Sequence, residues 1–205
     1  MMLNRRDWIK TLGVAAGAGV IVLRLKGALQ CGAPQPPWGV QACVAGIPQE
    51  RLNQVFAFQE MSEWCWAACI QMVFAYWGHP ITQQQIVKQT WGAITNMPAQ
   101  PEQIVQDLNR DWVDSRGDEF TAEGDCFTAN GVTAAQDLAG DMPLIIGSMG
   151  HAMVLTAVSY YRALDGSGQV TGALVRDPWP GNGGRRPLSP QEAEATMLLA
   201  RVRVV

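Results

Sequence analysis

Cys65 is the residue of this sequence best suited to covalent chemistry, because a thiolate is a strong nucleophile. It stands near the start of an apolar stretch that stops at Gly78, and Ser62 before it is a suitable N-cap for a helix. The amide groups and dipole at a helix N-terminus favour thiolate over thiol. The alternative interpretation, that Cys65 is a small core residue, stays open on this stretch alone.

Two histidines could serve a nucleophilic cysteine as its base. His79 follows the predicted helix, about 14 residues or some 20 Å beyond Cys65 at 1.5 Å rise per residue, so we expect an exposed turn residue. His151 opens a predicted strand directly after a glycine. A histidine at a strand start is more often structural, but His151 is the candidate base if Cys65 is the nucleophile.

Asp177 and Gln59 could complete such a site. Asp177 ends the strand that should pair antiparallel with the strand of His151, which would bring the two residues to the same end of the sheet. An Asp-Pro turn is the competing interpretation, and the pairing favours a role in orienting the histidine. Gln59 stands six residues before Cys65, and its side-chain N–H and the Cys65 main-chain N–H could together bind an oxyanion.

The elements that must position these residues predict an α+β fold, in which a buried central helix packs on an antiparallel sheet. The helix that begins near Cys65 is apolar on all sides, as in fully buried helices. Further helices are predicted from capping boxes at Thr82 and Thr133 and from Pro101, the last with Ile104, Val105, Leu108 and Trp112 on one face. Residues 113–131 are predicted as a loop with a short strand near 119–121, and strands are predicted over 143–147, 151–161, 169–176 and 198–205.

The motifs together resemble those of papain-like cysteine peptidases: a glutamine, five residues, then Cys-Trp-Ala; a histidine that opens a strand; and an acid two residues before a tryptophan. They are most similar to a compact bacterial branch that carries Trp-Cys-Trp-Ala-Ala-Cys, Gly-His-Ala and Asp-Pro-Trp-Pro-Gly. That branch includes the AvrRpt2-like effector peptidases and relatives of the C39 peptidases. The resemblance covers about residues 50–185 and implies a papain-like fold.

The resemblance also implies a role for each matching residue. These are Cys65 as nucleophile, His151 as general acid/base, Asp177 as its orienting partner, Gln59 as oxyanion donor, Trp179 as a shield of the His–Asp hydrogen bond, and Trp66 as a supporting residue. Papain has asparagine at the place of Asp177 and a different sequence before its nucleophile, and its cysteine and histidine are further apart. Its substrate pockets are therefore not transferred to this chain.

These residues predict a cysteine peptidase that hydrolyses peptide bonds through a thioester, with a Cys-His-Asp triad and a protein or peptide substrate. A peptidoglycan amidase or a transpeptidase-like acyl transferase is an alternative, because the same thioester serves both. A catalytically silent papain-like binding domain is another, but such a domain needs none of the four residues Gln59, Cys65, His151 and Asp177.

The composition excludes some classes of partner. The net charge of −3 gives no sign of nucleic-acid binding, and 48% hydrophobic with 16% charged residues is typical of a globular chain. With two histidines and no Cys-x-x-Cys pair, a structural zinc site is not expected. No cofactor is predicted.

Residues 1–30 have the features of a twin-arginine-type signal peptide. The pair Arg5-Arg6 precedes a short apolar run rich in glycine and alanine, over residues 11–23. We therefore expect export to the periplasm or the medium, with an uncleaved N-terminal anchor as the alternative. Membrane contact is expected only through this segment or by a less favoured lipidation at Cys31. Residues 31–50 are predicted as an extended lead-in, and residues 51–205 as the peptidase domain.

The odd count of five cysteines leaves at least one thiol unpaired within the chain. Cys31 and Cys43 are predicted to form a disulfide, since both follow a signal for an oxidising compartment. Cys69, one helical turn after Cys65, is predicted to be buried and inert. The sequence leaves open whether Cys126 pairs.

Overall fold

The computed structural model describes residues 27–126 and 131–205, so residues 1–26 of the predicted signal lie outside the described residues. The helices in the described part are α1 (Gln49–Val55), α2 (Cys65–Tyr76), α3 (Gln83–Trp91), α4 (Pro101–Asp107), α5 (Gly131–Ala139) and α6 (Pro190–Glu194). The strands are β1 (Ala28–Cys31), β2 (Gln41–Gly46), β3 (Asn109–Val113), β4 (Glu119–Cys126), β5 (Leu144–Ser148), β6 (His151–Arg162), β7 (Gly168–Arg176), β8 (Arg185–Pro187) and β9 (Thr196–Val204).

The described strands form one antiparallel sheet. Its order is β1-β2-β6-β5-β9-β4-β3, with β7 paired to β6 and β8 paired to β7. The long strand β6 organises it: β5 pairs with its first half and β2 with its second half, while β7 pairs along most of its length. The predicted α+β class with an antiparallel sheet is confirmed.

Helix α2 is the buried centre of the fold, as predicted. Its side chains at Ile70, Met72, Val73 and Phe74 have no exposed surface, and burial of each large apolar side chain stabilises the fold by roughly 1.5–3 kcal/mol. The Phe74 ring contacts two aromatic rings edge-on, that of Trp112 on β3 at 5.6 Å and that of Phe120 on β4 at 5.1 Å. The helix is therefore held on the sheet by its own apolar surface.

The C-terminal end of α2 follows the prediction from Gly78. The glycine has φ of 101°, and its N–H donates to Ala75 while the N–H of His79 donates to Phe74. This is a Schellman arrangement, in which a left-handed glycine lets the chain satisfy the last carbonyls of the helix.

The predicted N-cap of α2 was wrong. Trp64 occupies the N-cap position, and no side chain caps the helix there. The Ser62 hydroxyl instead accepts a hydrogen bond of 2.9 Å from the amide of Asn96. The main-chain N–H groups of the first turn, which include that of Cys65, have no partner within the helix.

Two other helix starts agree with the sequence. Thr82 and Gln85 form the predicted capping box before α3, and Pro101 is in the first turn of α4. The predicted box at Thr133 was wrong, because α5 already begins at Gly131 and Thr133 lies inside it.

Trp112 was wrongly predicted to lie on a helix. Helix α4 ends at Asp107, and the chain then turns into β3, where Trp112 pairs with Phe120 of β4. Much of the predicted loop 113–131 is strand β4. The spacing of Ile104, Leu108 and Trp112 fits one helical face, but the tryptophan fills the same core from a strand.

Residues 31–50, predicted as a lead-in, contribute β2 to the sheet between β1 and β6. The predicted disulfide is confirmed: Cys31 and Cys43 are bonded at 2.01 Å and join β1 to β2. Cys65, Cys69 and Cys126 are free thiols. Within the described ranges, no helix has the length and apolar character needed to cross a membrane.

Asp141 ties the start of the described chain to the far end of α2. Its carboxylate accepts hydrogen bonds from the Gly27 main chain at 3.1 Å, from the Tyr76 hydroxyl at 2.5 Å and from Arg51 at 3.0 Å. Tyr76 is the last residue of α2, whereas Cys65 is the first.

Candidate active site

Cys65 is half-buried at the N-terminus of α2, and its side chain lines a cleft. The rest of the helix is packed into the core, so the thiol is held at a fixed point of the cleft floor. Cys69, one turn further, is fully buried as predicted. Burial, together with the negative charges of Cys65 and Asp177, raises the pKa of the Cys69 thiol well above its usual value.

His151 reaches the cleft from a tight turn between β5 and β6. Met149 and Gly150 form its two central positions with φ of 52° and 77°. Positive φ at both positions is typical of a type I′ hairpin turn, which suits the twist of antiparallel strands. His151 follows at once as the first residue of β6, opposite Ser148.

Asp177 and His151 lie at the same end of the sheet. Asp177 follows β7, whose last residue Arg176 pairs with Val154 of β6. The Nε2 atom of His151 lies 2.7 Å from Oδ1 of Asp177. Because an ionised carboxylate only accepts hydrogen bonds, the proton is on Nε2, and Nδ1 is the ring nitrogen left for Cys65.

The Asp177 side chain is completely buried but well supplied with donors. Besides His151, it accepts hydrogen bonds from the Trp179 main chain at 2.9 Å, from Asn182 at 2.7 Å and from Arg186 at 2.7 Å. Burial alone would raise the pKa of Asp177, but these hydrogen bonds outweigh it and hold the pKa well below its usual range. Asp177 is therefore an anion over the whole physiological range.

The ionic state of His151 follows from its two neighbours. Burial lowers its pKa, but the hydrogen bonds to Asp177 and Cys65 and their negative charges outweigh burial and raise the pKa of His151 to about 9. An imidazolium at neutral pH beside Cys65 is the partner that a thiolate requires. The arrangement can thus hold a thiolate–imidazolium pair.

Gln59 is buried beside this group. Its main-chain N–H donates to the Pro178 carbonyl at 2.9 Å, which ties the segment before α2 to the loop that carries Asp177. Its side-chain amide donates to the carbonyls of Met61 at 2.9 Å and Ser62 at 2.7 Å. Both amide hydrogens are therefore engaged within the turn that leads to Cys65.

The tryptophans on either side of Cys65 fix one wall of the cleft. Both side chains are buried, and their indole N–H groups donate to successive parts of one loop, Trp64 to Thr95 at 2.8 Å and Trp66 to Met97 at 3.1 Å. This loop leads into α4, and its last residues line the cleft together with those of the β5–β6 turn. Trp66 is thus in a supporting position, since its indole binds the Met97 carbonyl and not Cys65, His151 or Asp177.

Trp179 lies at the rim of the same cleft and is 44% exposed. Its main-chain N–H binds Asp177. Trp179 therefore combines a side chain at the rim of the cleft with a main-chain hydrogen bond to Asp177, the partner of His151.

The cleft around Cys65 has a volume of about 440 Å³. Its lining is mostly apolar and includes Trp66, Ile104, Met149, Met197 and Leu198, while Glu63 and Ser62 lie at the Cys65 end. A groove of about 850 Å³ between α3 and the β3–β4 hairpin is larger, but none of the predicted site residues lines it.

His79 lies at the other end of α2 from Cys65. It is half-buried rather than exposed as predicted, with its ring stacked on Phe120 at 4.4 Å and its Nδ1 3.6 Å from Asp114. In the part of the chain that the structure describes, no cluster of three or more histidine, cysteine, aspartate or glutamate side chains could hold a metal ion.

Three residues of the hydrogen-bond network that includes Asp177 were not identified from the sequence: Asn182, Arg186 and Glu192. Asn182 and Arg186 bind its carboxylate, and Glu192 binds Arg186 at 2.6 Å. The sequence did contain one signal for them, the Arg-Arg pair shortly after Asp177. No strand was predicted at β8, so nothing indicated which residue the pair would contact.

The family model described as the Peptidase_C39 like family matches residues 44–196, more than half of the chain. The chain belongs to this family. Membership supports a peptidase-type function for the C39-like chain. No curated protein gives a significant match.

Among solved structures, the C39-like chain is similar to the crystal structure of UfSP from C. elegans, with a TM-score of 0.45 and 14% sequence identity. The alignment covers 95% of this chain and 41% of that chain, so this chain spans less than half of that protein's length.

Proposed function

We propose that the protein is a papain-like cysteine peptidase of the compact bacterial branch that includes the AvrRpt2-like peptidases, and that it hydrolyses peptide bonds through a thioester. The observation that carries the proposal is the 2.7 Å contact of His151 with the buried Asp177, beside a cleft that Cys65 and His151 both line. Family membership supports the same class of reaction.

The acylation step begins from the thiolate–imidazolium pair. The Cys65 sulfur attacks the carbonyl carbon of the scissile bond, and the C=O electron pair moves to the oxygen. When the oxyanion collapses, the C–N bond breaks and His151 transfers its Nδ1 proton to the leaving amine. Asp177 keeps the imidazole oriented and stabilises its charged form, as the acid of a catalytic triad does.

Deacylation reverses the direction of proton transfer. His151, now neutral, takes a proton from water as the water oxygen attacks the thioester carbon. The second oxyanion collapses with loss of the Cys65 thiolate, which restores the ion pair with protonated His151. The product leaves as a carboxylic acid and loses its proton to solvent to become the carboxylate. No cofactor enters either step.

The oxyanion would be bound by the main-chain N–H of Cys65, at the N-terminus of α2, and by Gln59. In the resting arrangement the Gln59 amide is bound to the Met61 and Ser62 carbonyls. Its role as oxyanion donor therefore requires that one of these hydrogen bonds is exchanged as substrate binds. Substitution of Gln59 by alanine should lower kcat by roughly 10²-fold.

The position of Trp179 supports the shielding role that the sequence implied. We propose that its indole excludes water from the His151–Asp177 hydrogen bond once a peptide covers its exposed face. Exclusion of water strengthens such a bond, because the local dielectric falls.

The apolar lining of the cleft favours peptides with an apolar side chain next to the scissile bond. A pocket lined mainly by Ile104, Leu198, Met149 and Met197 gains free energy by burying such a side chain, roughly 25 cal/mol per Å² of apolar surface. Profiling with a peptide library should rank leucine, methionine and phenylalanine above aspartate and lysine at one position.

Alkylation by iodoacetamide tests the proposed nucleophile, because the reagent reacts with thiolates. Cys65 should be labelled at pH 6–7 at least about tenfold faster than Cys126, an exposed free thiol of the same chain. Mass mapping of the labelled peptides gives both rates in one sample. Equal labelling of the two cysteines would show that the proposed activation of Cys65 is wrong.

Variants of the partner residues complete this test. His151→Gln should slow the labelling of Cys65 and leave that of Cys126 unchanged, because the thiolate loses its cation. The epoxide E-64 should modify Cys65 alone in the unaltered protein. A peptidoglycan amidase or acyl transferase would pass the labelling test, and the products distinguish them: a free carboxylate from peptides indicates hydrolysis, a new amide indicates transfer.

We also propose export by the twin-arginine-type signal predicted for residues 1–30, whose Arg5-Arg6 pair and apolar run precede the residues that form β1. The Cys31–Cys43 disulfide supports this, since such bonds persist in oxidising compartments. Replacement of Arg5 and Arg6 by lysine should retain the protein in the cytoplasm, which cell fractionation would detect. Equal export of the variant would contradict this route.

A further inference from the structure

Arg186 lies behind the proposed catalytic residues, on the side of Asp177 that faces away from His151. Its Nε donates to Asp177 Oδ2 at 2.7 Å, while His151 binds the other carboxylate oxygen. The Arg186 side chain is 21% exposed, and that of Asp177 is fully buried. One buried anion is therefore shared between two cationic partners.

Glu192 on α6 neutralises the far end of the guanidinium. Its two carboxylate oxygens accept hydrogen bonds from the two terminal nitrogens of Arg186, at 2.6 and 2.9 Å. Such a two-point pair fixes the plane of the guanidinium as well as its position. Glu192 also completes a capping box with Ser189, so its carboxylate is itself held by the start of α6.

The network returns to the active-site strands through Ser148. The Ser148 hydroxyl donates to the Glu192 main-chain carbonyl at 2.6 Å, and Ser148 pairs with His151 across the β5–β6 hairpin. The chain of contacts thus begins at Asp177 and ends beside His151. It connects the loop of the acid, β8, α6 and the histidine hairpin.

We propose that Arg186 is a positioning residue that fixes the Asp177 carboxylate toward His151. Glu192 balances the charge of Arg186, and the two residues together set how strongly Asp177 stabilises the charged histidine. This rests on the proposed function, since it assigns how the histidine of that site is tuned. Arg186 touches no reacting atom and acts only through Asp177.

Within the described residues, titratable and charged groups on three elements face the His151–Asp177 pair. From α2 it is faced by Cys65 and by the buried Cys69, which is a neutral thiol. Arg186 faces it from β8, and Glu192, through Arg186, from α6. Glu63 lies in the same cleft before α2.

Arg176 precedes Asp177 on β7, but its guanidinium is bound to Gln49 and Asn53 of α1. Arg186 is thus the cation in direct contact with the Asp177 carboxylate besides His151.

Substitution of Arg186 and substitution of Glu192 should shift the pKa of His151 in opposite directions. Arg186→Gln removes a cation near the imidazolium, while glutamine can still donate a hydrogen bond to Asp177, so the pKa of His151 should rise by about one unit. Glu192→Gln leaves the Arg186 charge unbalanced, so the pKa of His151 should fall. Glutamine still completes the capping box, so this variant removes charge and keeps the helix start.

The test is an NMR titration of the histidine ring in the full chain. The chain has two histidines, so His79, at the far end of α2, is an internal reference that should not move. Arg185→Gln is the matched control, because it removes the same charge from the neighbouring, exposed residue of β8. Arg186→Lys should retain most of the charge effect.

Shifts of His151 in the same direction for Arg186→Gln and Glu192→Gln, or no shift in either, would overturn the proposal. The double variant Arg186→Gln/Glu192→Gln removes both charges of the Arg186–Glu192 pair, so it can be measured if a single variant fails to fold. Its His151 pKa should lie between those of the two single variants. The titration needs no turnover, so it reads the network even if Cys65 proves unreactive. In the active enzyme, the alkaline limb of kcat/KM should follow the same two directions.

Discussion

Oδ1 of Asp177 lies 2.7 Å from the Nε2 atom of His151, and three further donors converge on the same carboxylate. Asn in this place could offer one oxygen and one NH₂ group. Whichever way the amide turns, its NH₂ meets a donor, either Arg186 and Asn182 or the Trp179 main chain. The site is therefore built for a carboxylate and not for the asparagine that papain carries.

Asp177→Asn should accordingly reduce both stability and activity. An unsatisfied buried donor costs about 1–3 kcal/mol in free energy of unfolding. Loss of the carboxylate charge should lower the pKa of His151 from about 9, which moves the alkaline limb of kcat/KM to lower pH. Denaturant unfolding and a pH–rate profile measure the two effects.

Asp114→Asn is the control for this variant. Asp114 is also buried and bound to an arginine, Arg116 at 2.8 Å, but lies beside His79 at the far end of α2. The Asp114→Asn substitution should lower the free energy of unfolding and leave the alkaline limb of kcat/KM at the same pH. An alkaline limb that is unchanged in both variants would argue against Asp177 as the group that sets the pKa of His151.

The stability of the protein should fall as pH rises through the range in which His151 deprotonates. The pKa of His151 is raised from 6.5 to about 9 in the folded state, so its contribution is fully present below pH 6.5 and is lost as pH rises through about 9. The free energy of unfolding, measured by denaturant titration between pH 6 and 10, should decline over this window. In His151→Gln the decline should be smaller, and identical slopes in both proteins would contradict the raised pKa.

Trp66→Phe should loosen the cleft wall without emptying the core. The phenyl ring retains most of the buried apolar surface, but the hydrogen bond to the Met97 carbonyl is lost, at about 1 kcal/mol. We expect a higher KM for peptides with little change in kcat, and faster amide exchange in residues 93–100.

Trp112→Phe provides the matched comparison for Trp66→Phe. Trp112 is equally buried, and its indole donates to Asp107 at 2.9 Å, away from the cleft. Loss of this hydrogen bond should reduce the free energy of unfolding by a similar amount and leave the KM for peptides unchanged. A rise of KM in both variants would mean that general destabilisation, and not the wall loop, controls substrate binding.

Met149→Asn should stabilise the protein. Met149 has φ of 52°, a left-handed conformation that strains most side chains and that asparagine adopts more readily. Relief of this strain should raise the free energy of unfolding by roughly 0.5–1 kcal/mol. Since Met149 lines the cleft, KM for peptides with apolar side chains should rise at the same time.

Met197→Asn separates the two effects of Met149→Asn. Met197 also lines the cleft and is 85% exposed, but it lies in strand β9 without backbone strain. In Met197→Asn the KM for peptides with apolar side chains should rise, while the free energy of unfolding should not increase. A stability gain in both variants would mean that removal of exposed apolar surface, and not of strain, is responsible.

The sequence was most informative where local chemistry decides the structure. The left-handed glycine after α2, the capping box of Thr82 and the hairpin of β6 and β7 each depend on a few neighbouring residues. The meeting of His151 and Asp177 followed from the same reasoning, because antiparallel pairing alone brings the start of one strand to the end of the next.

Features that depend on distant contacts were not predicted. The apolar spacing up to Trp112 satisfies a helix as well as a turn into β3, and only the packing of Trp112 on Phe74 distinguishes them. The contact of Arg186 with Asp177 requires a reversal at Gly183 and Gly184, both with positive φ, that folds β8 back on β7. No pattern in the intervening residues specifies which of the two adjacent arginines turns inward.

The Asp141 contacts have a practical consequence for handling the enzyme. They anchor Gly27 next to Tyr76, which lies eleven positions along the helix from Cys65, a rise of about 16.5 Å at 1.5 Å per residue. A bead, fluorophore or affinity tag joined to the chain ahead of Gly27 is therefore attached at the opposite pole of α2 from the cleft. Immobilisation through that end should leave the cleft open to macromolecular substrates.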